Sequence, residues 1–263
     1  MSAAVAAATP KPGLSRRALA RAVGLGTTAV VILLVEILIR YEIINPYVVP
    51  LPSQILLAIP RIVAEEHVAE RFVQTALELL WAAAMLATIG IGIGVLFYRF
   101  RVLRQACETW VGAMASAPIV LLYPLFLVAF GRSATTIVMI GFVAGLAPVI
   151  LKTIEGLAGT RRVLLDVGRS FRADGSQQFW KILVPSALPS MFVGLRLGLI
   201  FAMINIVGVE FLINFGGLGQ LINELAERYD MPGTYGAILF VILTSILFFD
   251  LTERLERWVR PAR

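Results

Sequence analysis

The chain has 263 residues, 59% hydrophobic and only 15% charged, and carries several apolar runs near the roughly 20 residues that cross a bilayer. That balance excludes an ordinary water-soluble domain, and about six spans leave no length for a separate catalytic domain. The net charge of +6 comes from basic residues sorted by topology and not from a nucleic-acid patch, so no nucleic-acid partner is expected. With Cys107 the only cysteine, no intrachain disulfide or cysteine-built zinc site can form; His67, the only histidine, lies in a polar loop, so no Ser-His-Asp set is expected, nor a metal or a cofactor.

Residues 1–21, rich in Ala, Pro and Arg, read as a flexible cytoplasmic tail. Ala22–Ile39 is the first span, an uncleaved anchor, with Glu36 near its outer end, where water or an interfacial partner can reach it. The next segment is punctuated by Pro46, Pro50, Pro52 and Pro60, and its mildly amphipathic stretch Ser53–Val63 should lie along the outer surface. Phe72–Tyr98 is the second span. Its Gly90 and Gly94 are spaced four apart, as are Gly141 and Gly145, and Gly194 and Gly198, spacings that let helices approach closely within lipid.

The third span, about Ala106–Phe130, holds Pro118 and Pro124, and the fourth, about Ala134–Ala158, holds Pro148. Each proline either kinks a helix beside a pathway or serves packing. Met191–Ile213 is the fifth span and carries Arg196, Asn205 and Glu210. Arg196 can snorkel, whereas Asn205 and Glu210 should face the protein interior, a subunit contact or a water-filled path. Asn214–Pro232 is an outer loop, and Met231–Phe249 the sixth span. The fold class is therefore all-α, a polytopic membrane protein of six transmembrane helices.

Seventeen of the 23 basic residues fall in the first tail, after the second span, after the fourth and at the C-terminus. Only Arg40, Arg61, Arg71, Arg132 and Arg228 fall on the opposite side, so both termini should be cytoplasmic. The longest charged stretch, Arg161–Pro189, is then a cytoplasmic loop. Val163, Leu164, Val167 and Phe171 form one stripe of a first short helix. Ala173-Asp174-Gly175-Ser176 is a turn in which Asp174 or Ser176 caps a second helix, ended by Pro185 and Pro189. Such a pair can rest its apolar side on the membrane domain and offer its polar side to a cytoplasmic partner.

The loop resembles the cytoplasmic motif of the membrane (permease) subunits of binding-protein-dependent ABC importers, of the nitrate, sulfonate and taurine type. That motif runs E-A-A, three residues, G, nine residues, I-x-L-P. Here Asp166-Val167-Gly168 stands at E-A-A, Arg172 at the glycine, and Ile182, Val184 and Pro185 at I-x-L-P. The runs VVPLPS (48–53), GLRLGL (194–199), VGVEFL (207–212) and GLGQLI (217–222) extend the resemblance over roughly residues 46–258.

The resemblance implies a type I importer transmembrane domain over 22–263 with a coupling loop at about 160–185. It also implies a multi-pass location in the bacterial inner membrane, ATP-binding cassette ATPase subunits, a second permease (homodimer or heterodimer) and a periplasmic or extracellular solute-binding protein. Asp166, Gly168, Arg169, Arg172, Asp174 and Gly175 become the expected ATPase-coupling contact, and Asn205, Glu210 and Pro118 the pathway candidates. Arg172 departs from the pattern, since a glycine there suits a tight turn, which Gly175 can supply instead. No G-x-x-x-x-G-K-[ST] occurs, so ATP hydrolysis falls to a partner subunit. The competing reading is an ATP-independent secondary transporter or channel, which usually carries midplane ionisable residues and internal repeats.

Overall fold

A computed structural model describes residues 16–259, and every regular element among them is helical. Helix α1 (Arg16–Arg40) begins six residues before the expected span; the rest of the tail lies outside the described residues. Glu36 finds an interfacial partner, accepting from the Ser53 amide at 3.1 Å and its hydroxyl at 2.9 Å, so α1 is tied to the start of the amphipathic helix α2 (Pro52–Glu65). The second span is α3 (Val68–Met85), a π turn (Leu86–Gly90) and α4 (Ile91–Arg99).

The third span differs from one kinked helix. Helix α5 (Arg101–Ser116) stops, and a short 3₁₀ turn leads into α6 (Tyr123–Phe130) after a bend of 97°. Ala117 is extended, with ψ 136°, because the ring of Pro118 disfavours helical geometry in the residue before it. Pro124 falls in the first turn of α6, where its missing N–H costs nothing. The six spans are thus five continuous helical runs and this bent pair.

Helix α7 (Ala134–Ala158) is the centre of the bundle, packed mainly against α10 (Val184–Ile213). Their crossing is backbone on backbone: a Cβ on Gly145 would stand 2.5 Å from the Gly198 carbonyl oxygen, and one on Gly198 2.7 Å from that of Gly145. A Cβ on Gly141 would meet Ile206 at 2.7 Å, on Gly194 Lys152 at 2.6 Å and on Gly94 Thr153 at 2.6 Å. Ile137, Ile140, Ala202 and Ile206 fill the core beside this seam.

Between α7 and α10 come α8 (Arg162–Ser170), α9 (Gly175–Gln178) and a second π turn, Phe179–Leu183. Pro185 and Pro189 do not end the second loop helix as expected. The helical run continues unbroken from Gly175 to Ile213, because Pro185 falls in the first turn after the π turn, where the usual bonding pattern is already interrupted. The loop expected after Ile213 contains a helix, α11 (Gly217–Glu227), before α12 (Met231–Val259). Leu218, Leu221 and Leu225 of α11 are buried against Ala58 and Ile62 of α2 and Ala237 of α12, a second small core.

Gly145→Val should force α7 and α10 apart, costing about 1–3 kcal/mol as an overpacked contact does. A lowered unfolding midpoint of the purified chain in detergent checks it, with Gly92→Val, where the added carbon meets nothing within 4 Å, as the neutral control.

Candidate coupling loop and buried carboxyl site

Helix α8 is amphipathic, yet it touches the rest of the chain chiefly at one small residue. A Cβ on Gly168 would stand 2.5 Å from Ile182 Cδ1, so α8 crosses the π turn where no larger side chain fits. The helix closes with a left-handed residue. The Arg172 amide donates to the Arg169 carbonyl at 2.8 Å, the Ala173 amide to that of Gly168 at 3.0 Å, and Arg172 itself has φ 55°. Helices commonly end this way at glycine, which accounts for the glycine in the matching motif. The turn is therefore made at Arg172 and not at Gly175, which is the first residue of α9. Asp174 caps α9: its Oδ1 accepts from the Gln177 amide at 2.7 Å, and Gln177 Oε1 accepts from the Asp174 amide at 3.4 Å.

Asp166, Arg169, Arg172, Asp174 and Gly175 all lie on the surface of this helix–turn–helix, and Gly168 is buried beneath them. Asp166 and Arg169 form an ion pair at 3.1 Å that is two-thirds exposed and contributes little to stability. The apolar stripe expected to rest on the membrane domain faces outward instead: Phe171 is 83% exposed and Val163 69%. Leu164, Val167, Phe171, Lys181, Ile182 and Pro185 border an open groove of about 590 Å³.

Opposite this loop along α10, Glu210 is completely buried. Its Oε1 accepts from Thr75 Oγ1 at 2.7 Å and its Oε2 from the Gly219 amide at 2.8 Å, while Thr75 Oγ1 accepts from the Leu218 amide at 2.9 Å. Gln74 donates to the Phe215 carbonyl at 3.0 Å and accepts from the Gly217 amide at 3.2 Å. The first amides of α11, which no helical carbonyl can satisfy, are thus taken up by side chains of α3 and α10. Gly217 (φ 77°) and Gly219 permit the approach: a Cβ would lie 2.1 Å from Glu210 Oε1 and 2.2 Å from the Val207 carbonyl oxygen, respectively. The VGVEFL and GLGQLI runs are therefore two halves of one contact.

The other two pathway candidates lie elsewhere. Asn205 is half-buried and donates to the Phe201 carbonyl at 2.8 Å, and Pro118 is exposed at the 97° bend. Sequence reading missed Gln74, Thr75 and Glu78, although three polar residues at positions one and four apart in a span were the available signal. It also missed the ties at the α11 end, where Arg71 pairs with Glu224 at 2.7 Å, Arg228 with Glu66 at 2.8 Å, and Arg61 with Asp230. The Asp230 carboxylate raises the pKa of the Arg61 guanidinium further above its ordinary value.

Residues 80–262 match the family described as "Binding-protein-dependent transport system inner membrane component". The chain belongs to this family. It is a multi-pass inner-membrane permease subunit of an ABC importer, and the matched residues include the helix–turn–helix. Among curated relatives, the formylaminopyrimidine transport permease protein ThiX of Halalkalibacterium halodurans is 27% identical, covering 83% of this chain and 87% of that protein. The taurine transport system permease protein TauC of Escherichia coli is 24% identical over 90% of this chain and 88% of that protein. The fold is that of a solved inward-facing MetNI methionine ABC transporter chain, with a TM-score of 0.64 at 18% identity, over 74% of this chain and 96% of that one.

Thr75→Val should leave Glu210 Oε1 and the Leu218 amide without partners, a loss of about 1–3 kcal/mol for buried groups left unpaired. Thr75→Ser, which keeps the hydroxyl, should recover most of it in the same unfolding assay.

Proposed function

We propose that this permease subunit pairs with a second permease, homologous or identical, to import a small organic anion such as a sulfonate, or nitrate. ATP is hydrolysed by separate cassette subunits that grip the α8–α9 turn. The observation that carries this reading is that turn: a short, exposed helix pair that projects from the bundle, matched in spacing to the family's loop. Asp166, Arg169, Arg172, Asp174 and Gly175 offer the polar contacts and Phe171 and Val163 an apolar one, with Gly168 setting the angle at which α8 leaves the bundle. The arginine excess at this end supports a cytoplasmic position for it and for both termini. A solute-binding protein then meets the opposite end, where α2 and α11 form a layer.

For the pathway, Asn205 lies on the open side of α10 with Phe201 and Ile204, both exposed, and exposed Pro118 marks the bend of the third span. These residues line the route between the two permeases, and Glu210, turned toward α11, shapes it from behind. Support for an anion comes from TauC and from the nitrate import permease protein NrtB of Synechocystis, 26% identical over 67% of this chain. Similarity to ThiX favours a second reading, a small nitrogen heterocycle. Uptake of labelled taurine, nitrate and formylaminopyrimidine by cells with and without the chain separates the two.

Tagged chain purified from native membranes should bring an ATP-binding subunit and ATPase activity, both lost when residues 166–175 are replaced by a neutral linker. Recovery of the chain alone, without ATP-dependent activity, would favour an ATP-independent transporter. Arg172→Gly relieves a left-handed residue, worth about 1–2 kcal/mol, and should leave transport intact or improve it. Complete loss would show that the Arg172 side chain makes a required contact.

A further inference from the structure

The helical run from Gly175 to Ile213 joins the two ends of the molecule, starting at the Asp174 cap of the loop and ending three residues beyond Glu210. Glu210 holds the first turn of α11, and Gly217 and Gly219 leave no space between α11 and α10. Glu78 of α3, which is 3% exposed, lies beside the Glu210 carboxyl group. Glu78 has few other attachments: its Oε1 is 3.5 Å from Gln74 Nε2, and its Oε2 is buried without a hydrogen-bond partner. Burying a carboxyl group so poorly satisfied is costly, and a leucine or methionine would pack the same place without that cost. Contact between two carboxyl groups becomes a hydrogen bond only when one of them carries a proton, and a glutamine amide at position 78 could donate in the same place.

We propose that Glu78 is a positioning residue of the transport cycle. By its presence beside the Glu210 carboxyl group it keeps that group on the α11 amides, so α11 moves with α10 when the α8–α9 turn is displaced. Displacement at the loop is thereby delivered to the layer formed by α2 and α11, which the ion pairs Arg71–Glu224 and Arg228–Glu66 hold together. The inference rests on the importer reading.

The test compares wild type, Glu78→Met and Glu78→Gln in the complex purified from native membranes, reading ATPase activity alone and with the solute-binding protein obtained from the same cells. Glu78→Met should bring down the ATPase subunit as wild type does and keep basal activity within twofold, while stimulation by the binding protein falls at least fivefold. Glu78→Gln should restore stimulation to within twofold. Undiminished stimulation in Glu78→Met, or equal loss in both variants, overturns the proposal. Should Glu78→Met fail to accumulate, Glu78→Asp, which withdraws the carboxyl by one methylene, is held to the same expectations. A second readout is independent of the ATPase: Leu225→Cys in a Cys107→Ala chain should react with a membrane-impermeant maleimide at least tenfold faster when Glu78 is Met. Unchanged labelling refutes the seating of α11, whereas a wild-type chain recovered without an ATP-binding subunit refutes the importer reading itself.

Discussion

The backbone contact between Gly145 of α7 and Gly198 of α10 sets the geometry of everything else. Within lipid, apolar side chains gain little by leaving their surroundings for one another, so helix association relies on close packing and on polar contacts. A seam of glycines provides the first, and it binds together the two helices that flank the loop. The C-terminal end of α7 leads into α8 and the run through α9 and the π turn becomes α10, so the loop is mounted on the most tightly joined pair in the bundle. A force applied to it meets a stiff support.

The loop itself shows how a motif survives a substitution. A left-handed residue after α8 is required by the two closing hydrogen bonds from Arg172 and Ala173, and glycine adopts that geometry without the clash a Cβ brings. Here arginine adopts it, at φ 55°, and the turn keeps its place in the sequence spacing. Gly168 cannot be exchanged so easily, because the obstacle there is the Ile182 side chain and not the dihedral. The strain at Arg172 is local, whereas a side chain at Gly168 would change the angle of the whole helix.

Much of this architecture was legible in the sequence because bilayer thickness fixes span length and small residues at four-residue spacing mark close crossings. All three glycine pairs lie in such crossings, and Asp174 is the cap its position suggested. Three features were not legible. The π turns at Leu86–Gly90 and Phe179–Leu183 leave no compositional mark, and the second of them is why Pro185 does not stop a helix. The 97° break at Pro118 looks the same in sequence as a kink. Helix α11 was hidden because its glycines resemble a loop; only their contact with Glu210, nine residues from Gly219 in the chain, shows that they are there to admit a carboxyl group.

The positions of Asn205 and Glu210 give the strongest physical argument about the route. Five residues along an α-helix amount to roughly 500°, so the two side chains point about 140° apart. Asn205 shares its side with Phe201, which stays exposed, while Glu210 shares its side with Met203 and Ile206, which are buried. On the proposed route along the open side the solute meets an amide and an aromatic ring, and the carboxyl group stays behind the helix, held to α11. For an anion this arrangement matters, since an ionised carboxylate in a low-dielectric path repels it strongly. The same hydrogen bonds that seat α11 thus keep that group out of the way, and a single residue serves the architecture of one face by being withdrawn from the other.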